Sequence, residues 1–351
     1  MSRSAGVVAQ RLRAVAASRR FHAWARPVAG VVVLSAVVWR VGAAPFVHGV
    51  LSIDLRAVAA ALVLCALSTA VLAWRWRIIA NRLGARITFP RAIGMYYRSQ
   101  FFNTVLPGGV LGDVHRAVAH GRDAGDLPQA SCAVAIERVA GQVVQSTLTV
   151  LVLLLVGSEF AGWAFLALGL GLAVLVVAVV VVVASWPIRR IVAREVAELR
   201  VGIGCVKVLL QVIATSVVAL ACHVALFAVA VAAVGEQLPP VRMVAVALVV
   251  LLGSAIPVNI GGWGPREGVA GWVFAVAGLG ADAGVAASTT FGVLAMIALV
   301  PGAVVALVSV IRVRRHPAPA TPSALSSREG PRHAPVPVLA APSHSRGGGS
   351  S

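Results

Sequence analysis

The sequence predicts an all-α polytopic membrane protein; its composition, its long apolar runs and the placement of its arginines all favour that class. Hydrophobic residues make up 59% of the 351 residues and charged residues only 12%, whereas soluble domains carry about 25% charged residues. Several apolar runs, most clearly 162–184 and 208–234, reach the length of about 20 residues that a helix needs to cross a bilayer. No soluble catalytic domain fits in the loops, so we expect a transporter-like protein rather than an enzyme.

The formal net charge of +18 comes from the arginines. Their positions do not indicate a nucleic-acid partner. Most of them lie in short segments beside apolar runs, where basic residues mark the cytoplasmic side of a membrane protein. We interpret the basic residues 1–26 as a cytoplasmic arm, and 312–351, rich in Pro, Ala, Ser and Gly, as a disordered cytoplasmic tail. The transmembrane domain is expected over 27–311, with both termini in the cytoplasm.

The same rule predicts how the chain crosses the bilayer. If the segment that begins at Ala92 crossed completely, the basic segment 189–207 would lie outside, against the positive-inside rule. A hairpin over 92–136 that enters from the cytoplasm and returns avoids this conflict, and a second hairpin over 241–277 is expected to enter from the outer side. About six full transmembrane helices accompany these two oppositely directed re-entrant hairpins, at 27–44, 57–74, 132–156, 162–184, 208–234 and 284–311.

Each predicted hairpin contains a break rich in proline and glycine. The breaks comprise Pro107, Gly108, Gly109 and Gly112 in the first hairpin and Gly261, Gly262 and Gly264 in the second. Irregular backbone at membrane depth is tolerated only where it is buried in protein or lines a wet cavity. Interrupted segments at corresponding positions of two halves are typical of a transporter's central site, and opposite entry sides suggest an inverted-topology repeat.

The charges beside the breaks predict an anion site. We expect Asp113 to cap the helix that follows it, and Pro265 and Glu267 to occupy the first and third positions of another helix. The free N–H groups at such helix starts attract anions. Arg116 and Arg266 add planar donors that suit a phosphate.

Charged side chains at the bilayer centre cost about 2.5–3.5 kcal/mol each, so these groups are expected to face the protein interior and to pair. The alternative for Asp113, Arg116, Glu137 and Arg138 is a position among the cytoplasmic headgroups. A headgroup position is also the alternative for Arg266 and Glu267. The two asparagines near the breaks either bind a headgroup or satisfy the broken helix backbone. We expect no catalytic residue, metal site or cofactor. The candidate substrate-binding residues are Asn103, Pro107, Gly108, Gly109, Gly112, Asp113, Arg116, Glu137, Arg138, Asn259, Gly261, Gly262, Gly264, Arg266 and Glu267.

Three polar residues of the apolar spans have a structural interpretation as well as a functional one. Gln142 and Gln145 lie one helical turn apart and are expected to hold neighbouring helices together by hydrogen bonds. His223 is expected to be a satisfied core residue rather than a proton relay.

Three segments resemble a known family. The runs QFFNTVLPGGVLGDVHR (100–116), ERVAGQ (137–142) and IPVNIGGWGPREG (256–268) are similar to the transmembrane, flippase-like domain of bacterial lysylphosphatidylglycerol synthases, over about 28–311. The resemblance implies a lipid-translocating fold in a bacterial plasma membrane. It also implies a stand-alone member of the family, since the aminoacyl-transferase domain of the full synthases is not found after the last span, so aminoacyl transfer is not expected.

Together the motifs and the resemblance predict a flippase-like protein that moves an anionic or amphoteric phospholipid, glycolipid or polyprenyl-phosphate-linked lipid between leaflets. Membrane lipids are its expected partners. One alternative is a non-transporting scaffold for a separate glycosyltransferase or lipid synthase. Another is a secondary transporter for a small anion.

Overall fold

The structure is a computed structural model, and it describes residues 35, 38, 39, 41–106, 110–156, 205–254 and 263–315, with side-chain surroundings as far as 307. The predicted cytoplasmic arm, the tail beyond 315 and the predicted span at 162–184 lie outside the described residues, as does more than half of the span at 27–44. The same holds for several candidate site residues: Pro107, Gly108, Gly109, Asn259, Gly261 and Gly262.

The described residues form helices, without a strand among them. The helices are α1 (Ala44–Leu51), α2 (Leu55–Arg82), α3 (Phe89–Val105), α4 (Leu111–Ala124), α5 (Leu127–Val156), α6 (Val206–Ala233), α7 (Pro240–Ser254), α8 (Pro265–Val276), α9 (Ala281–Ala298) and α10 (Val300–Arg315). Candidate spans that are long and apolar enough to cross a membrane cover Leu55–Arg82, Leu127–Leu155, Val206–Ala233 and Ala281–Leu307. They coincide with four of the predicted spans, and the predicted fold class is confirmed.

Helices too short to cross lie where the first hairpin was predicted. The 17 residues of α3 and the 14 of α4 extend about 25 Å and about 21 Å at about 1.5 Å per residue, less than the hydrocarbon core of about 30 Å. The two helices pack against each other. An ion pair joins Arg91 near the start of α3 to Asp123 near the end of α4, so the chain returns to the end from which it came.

The second pair, α7 and α8, is shorter still, with 15 and 12 residues. These helices also pack against each other. Leu238, just before α7, and Leu279, just after α8, pack against the same apolar core. The side of the membrane from which each pair enters stays a prediction.

Two apolar clusters organise the bundle, and α6 contributes to both. One cluster includes Leu226 and Phe227 of α6 together with residues of α7, α8 and α9. The other includes Val212 of α6, Trp76 of α2 and Tyr96 of α3. Because lipid is as apolar as these side chains, helix association in a membrane depends on close packing and hydrogen bonds rather than on the hydrophobic effect.

Glycines at the crossings allow that close packing. A Cβ atom on Gly112 of α4 would overlap the carbonyl oxygen of Ser99 on α3. A Cβ atom on Gly284 of α9 would overlap the carbonyl oxygen of Ala270 on α8. The backbones of both short-helix pairs are therefore held tightly against their neighbours.

By its contacts the chain divides into one unit over Met1–Ser309 and a second over Val310–Ser351. Of the second unit, the structure describes only the end of α10. The ionic clusters around Glu137 and Glu267 belong to the first unit.

Candidate functional site

A fully buried carboxylate, Glu137 on α5, is the centre of an ionic network between four helices. Arg75 of α2 donates from both Nε (3.2 Å) and Nη2 to its Oε1 atom. Arg116 of α4 donates from Nη2 to Oε2 at 2.9 Å, and the Tyr96 hydroxyl of α3 donates to Oε1 at 3.2 Å. Breaking such a buried pair costs about 3–5 kcal/mol, so the network fixes the relative positions of these helices.

The second carboxylate of the network, Asp113, joins the short helices α3 and α4. Its oxygens accept hydrogen bonds from Ser99 Oγ at 3.1 Å and Asn103 Nδ2 at 3.0 Å. Arg116 and Arg138 approach it at 3.1 Å and 2.6 Å. The predicted role of Asp113 as an N-cap is wrong, because α4 begins at Leu111 and the carboxylate is used by side chains across the helix pair.

Arg116 is wholly buried between two aromatic rings. Its guanidinium carbon lies 4.6 Å from the centroid of Trp76 and 4.4 Å from that of Tyr96, and its exposed fraction is 0%. Two of its nitrogens, Nε and Nη1, have no hydrogen-bond partner. Desolvated cation–π contacts are worth about 2 kcal/mol, and here they take the place of those hydrogen bonds.

A smaller cluster lies at the start of α8. Glu267 Oε2 accepts from the backbone N–H of Gly264 at 2.6 Å, with Pro at the start of the helix, which confirms the predicted arrangement. Glu267 Oε1 accepts from Arg266 Nη2 at 2.6 Å and from Ser288 Oγ at 3.2 Å. The Arg266 guanidinium lies 5.3 Å from the ring centroids of both Trp263 and Phe291.

The N–H groups expected to receive an anion at the two helix starts are in part already used. Glu267 occupies the N–H of Gly264, and the side-chain oxygen of Asn103 accepts from the N–H of Gly112 at 2.8 Å. The positive ends of α4 and α8 are thus capped by the protein's own side chains, and the guanidiniums are the better candidates for an external anion.

Two arginines lie against glycines of neighbouring helices. A Cβ atom on Gly141 of α5 would lie 2.8 Å and 2.9 Å from the Arg75 guanidinium nitrogens. A Cβ atom on Gly292 of α9 would overlap Nη2 of Arg266. In each half of the molecule, therefore, the missing side chain of a glycine leaves the space in which a guanidinium lies against a helix backbone.

These arginines line a cavity of about 360 Å³ inside the bundle, near the lower end of the range of about 300–1,000 Å³ typical of ligand sites. Arg75, Arg138 and Arg266 contribute to its wall, and no acidic residue does so among the described residues. Arg138 has 48% of its side chain exposed, against 6% and 7% for the other two. The remaining lining is Leu72, Tyr96, Gln100, Gly141, Gln142, Gln145, Ser216, Ala219, Leu220, His223, Leu251, Ser254 and Phe291.

The structure distributes the predicted site residues between the cavity wall and the groups behind it. Arg138 and Arg266 line the cavity. Behind the wall lie residues of the two ionic clusters, namely Asn103, Gly112, Asp113, Arg116, Glu137, Gly264 and Glu267. Their binding roles stay predictions.

Arg75 was missed as a site residue. The span predicted over 57–74 put Arg75 just beyond its end; that end is wrong, because α2 continues to Arg82, and Arg75 is 5% exposed. The available signal was its position directly after the apolar run of α2, flanked by Trp74 and Trp76. Helical spacing would have put it on a face with that run rather than in solvent.

The fold and these clusters define a multi-pass helical membrane protein with a polar, arginine-lined cavity inside its bundle. The sequence matches the family described as the lysylphosphatidylglycerol synthase TM region over residues 24–312. The chain belongs to this family, and its membership indicates a membrane protein of lipid metabolism or lipid transport. No curated protein matches the sequence.

Proposed function

We propose that this protein moves a lipid between the leaflets of the membrane and that its cavity receives the phosphate of the lipid headgroup. The observation that carries the proposal is the cavity wall, where three guanidiniums and no carboxylate of the described residues face the interior space. An anionic or amphoteric phospholipid, glycolipid or polyprenyl-phosphate-linked lipid supplies the complementary group. Family membership supports a lipid as the ligand.

The three cavity arginines differ in exposure, and we assign their roles in phosphate binding accordingly. Arg138 is the accessible one, and its planar guanidinium can bind two phosphate oxygens at once. Arg75 and Arg266 are nearly buried and approach the cavity from the two halves of the chain. Arg116 lies outside the lining and supports this arrangement by holding Glu137 and Asp113.

The cavity offers a headgroup polar contacts, which the hydrocarbon core lacks. Moving a charged group into lipid is costly because the group loses its water; guanidiniums and amides replace that water inside the bundle. Leu72, Leu220 and Leu251 form an apolar part of the wall, which suits the start of an acyl or prenyl chain. The protein acts in this scheme as a transporter, without a chemical step of its own, in a bacterial plasma membrane with both termini in the cytoplasm.

Translocation in reconstituted liposomes tests the proposal. Acyl-labelled fluorescent phosphatidylglycerol is bleached with dithionite, and the rate at which the inner-leaflet pool becomes accessible is measured. We expect Arg138→Gln to slow this rate at least about tenfold, since a charge-assisted hydrogen bond to a phosphate contributes about 1.5–3 kcal/mol. Arg266→Gln is expected to slow it as well.

The control is Arg91→Gln, which removes an exposed arginine that does not line the cavity. It is expected to keep the wild-type rate. A wild-type rate in both Arg138→Gln and Arg266→Gln would contradict the proposal. Protein-free liposomes set the background.

A further inference from the structure

The charges around the cavity do not cancel. Arg75, Arg116 and Arg138 face the two carboxylates Asp113 and Glu137. The other cluster is a neutral pair, Arg266 with Glu267. Four guanidiniums against three carboxylates leave one positive charge among the described groups of these clusters.

The surplus charge has no carboxylate of its own in the described clusters. In the N-terminal cluster both oxygens of Glu137 and both oxygens of Asp113 already accept hydrogen bonds. Arg75 and Arg116 are buried and paired with Glu137, whereas Arg138 lines the cavity with 48% of its side chain exposed. Arg138 is therefore the guanidinium at which an anion in the cavity can balance the surplus. An anion that leaves water loses several kcal/mol of solvation, and a partner with good geometry restores it.

We infer that the cavity selects a lipid whose headgroup is a phosphodiester with a single negative charge and no amino group. This inference rests on the proposed function. One negative charge brings the cavity and its two clusters to neutrality, whereas a phosphomonoester, which carries close to two charges above its second pKa of about 6, leaves an excess. A zwitterionic headgroup leaves the surplus of the protein uncompensated.

The wall also disfavours an amino group directly. An ammonium is received best by a carboxylate, and the described lining contains no carboxylate. Asp113 and Glu267, which could have received a cation, are already bound by arginines. An ammonium in the cavity would instead lie among guanidiniums of like charge.

The neutral part of the wall suits hydroxyl groups. Thr69 Oγ1 donates to Gln100 Oε1 at 2.9 Å, which leaves the amide nitrogen of Gln100 as a donor at the cavity. His223 Nδ1 lies 2.7 Å from the carbonyl oxygen of Ala219; a carbonyl can only accept, so Nδ1 carries the proton and Nε2 of the neutral ring is an acceptor. Donors and acceptors of this kind match the hydroxyls of a glycerol, inositol or sugar headgroup.

Binding to the purified full-length protein tests the inference without any transport step. Titration calorimetry in detergent at about pH 8, above the phosphomonoester pKa of about 6, compares three dioctanoyl lipids: phosphatidylglycerol, phosphatidate and phosphatidylethanolamine. We expect phosphatidylglycerol to bind at least about tenfold more tightly than either of the others. Equal affinities, or tighter binding of phosphatidate or phosphatidylethanolamine, would overturn the inference.

Two variants at one neutral wall position change the net charge of the cavity and test whether that charge sets the lipid preference. Gln145 lines the cavity and belongs to neither ionic cluster. Gln145→Lys raises the surplus to two charges and is expected to shift the preference to phosphatidate. Gln145→Glu removes the surplus and is expected to abolish the preference for phosphatidylglycerol over phosphatidylethanolamine.

Gln145→Met, of similar length and without charge, measures the effect of losing the amide alone, and the order of affinities in the two charged variants is compared with the order in this variant. If either charged variant fails to fold, as judged by size-exclusion chromatography, the same substitutions at Gln142, one turn away on the wall, replace it. An order of affinities that does not follow the introduced charge at either position counts against the inference.

Two further ligands separate a lipid from a soluble anion. Glycerophosphoglycerol, the deacylated headgroup, and inorganic phosphate should bind at least about tenfold more weakly than the lipid, because neither carries an acyl chain for the apolar wall. Equal affinity for glycerophosphoglycerol would assign the cavity to a soluble phosphodiester and overturn the lipid part. Selective binding without translocation would refute the proposed function alone, and translocation without selectivity would refute this inference alone.

Discussion

At the scale of single residues, the contact between Gly292 and the cavity arginine Arg266 allows a substitution that should reduce transport with little effect on stability. In Gly292→Ala the new methyl group overlaps the end of the Arg266 side chain, which can swing away more easily than a backbone. We therefore expect Nη2 of Arg266 to move from its place in the cavity wall, while Nε keeps its hydrogen bonds to Glu267 at 3.0 Å and Ser288 at 2.9 Å and the helices stay in place. The translocation rate should fall at least about tenfold, a loss equivalent to about 1.4 kcal/mol.

The unfolding temperature in detergent, measured on the same preparation, should change little in Gly292→Ala. Gly94→Ala is the matched control, because its Cβ atom would lie 3.8 Å from Val305 Cγ1, an ordinary van der Waals contact. A normal translocation rate in Gly292→Ala would show that the position of Arg266 does not matter for transport.

Arg116 should behave in the opposite way. Replacing it with methionine keeps much of the side-chain volume between Trp76 and Tyr96 but leaves Glu137 and Asp113 with one cation fewer. Loss of one partner from a buried ion pair costs about 3–5 kcal/mol. We expect a clear fall in thermal unfolding temperature, together with lower yield of folded protein.

Arg116→Lys should recover only part of that stability, since an ammonium lacks the planar face that stacks between the two rings. Differential scanning fluorimetry of the two variants and the wild type measures this order. Wild-type stability in Arg116→Met would contradict the role given to this residue.

At the scale of helices, the long apolar spans and the short paired helices could be predicted from the sequence because each depends on local pattern. The Pro/Gly breaks and the distribution of arginines located α3–α4 and α7–α8, and the Pro265–Glu267 start of α8 followed from capping rules. The start of α4 was misplaced by three residues because Asp113 is as good a cap as it is an ion-pair partner. Only the fold decides which role it takes.

The cavity was less predictable, for a physical reason. Arg75 and Glu137 are 62 positions apart in the sequence, and nothing local shows that they meet. Gly141 and Gly292 matter through what lies opposite them in space, so their role is absent from the sequence pattern. The cost of charged side chains in the membrane predicted that these ions would pair. It did not predict which guanidinium would remain accessible to a ligand.

At the scale of the whole molecule, the orientation can be tested with a native reporter. Cys205 is exposed and directly precedes α6, at the end of the segment expected in the cytoplasm. Gln237 is exposed in the turn after α6, at the end expected outside. In spheroplasts, a membrane-impermeant maleimide should label Gln237→Cys and leave Cys205 unlabelled, and in inside-out vesicles the pattern should reverse.

The same labelling tests the second hairpin. Asp282 is exposed in the first turn of α9, which follows α8, and if α7 and α8 return to the side from which they entered, Asp282→Cys must be labelled together with Gln237→Cys. Because positive loops set orientation, the two ends of α6 should not exchange sides, and Cys205 serves as the internal control in each preparation. Labelling of Asp282→Cys together with Cys205 would show that α7–α8 crosses the membrane, and the inverted arrangement of the two short-helix pairs would then be wrong.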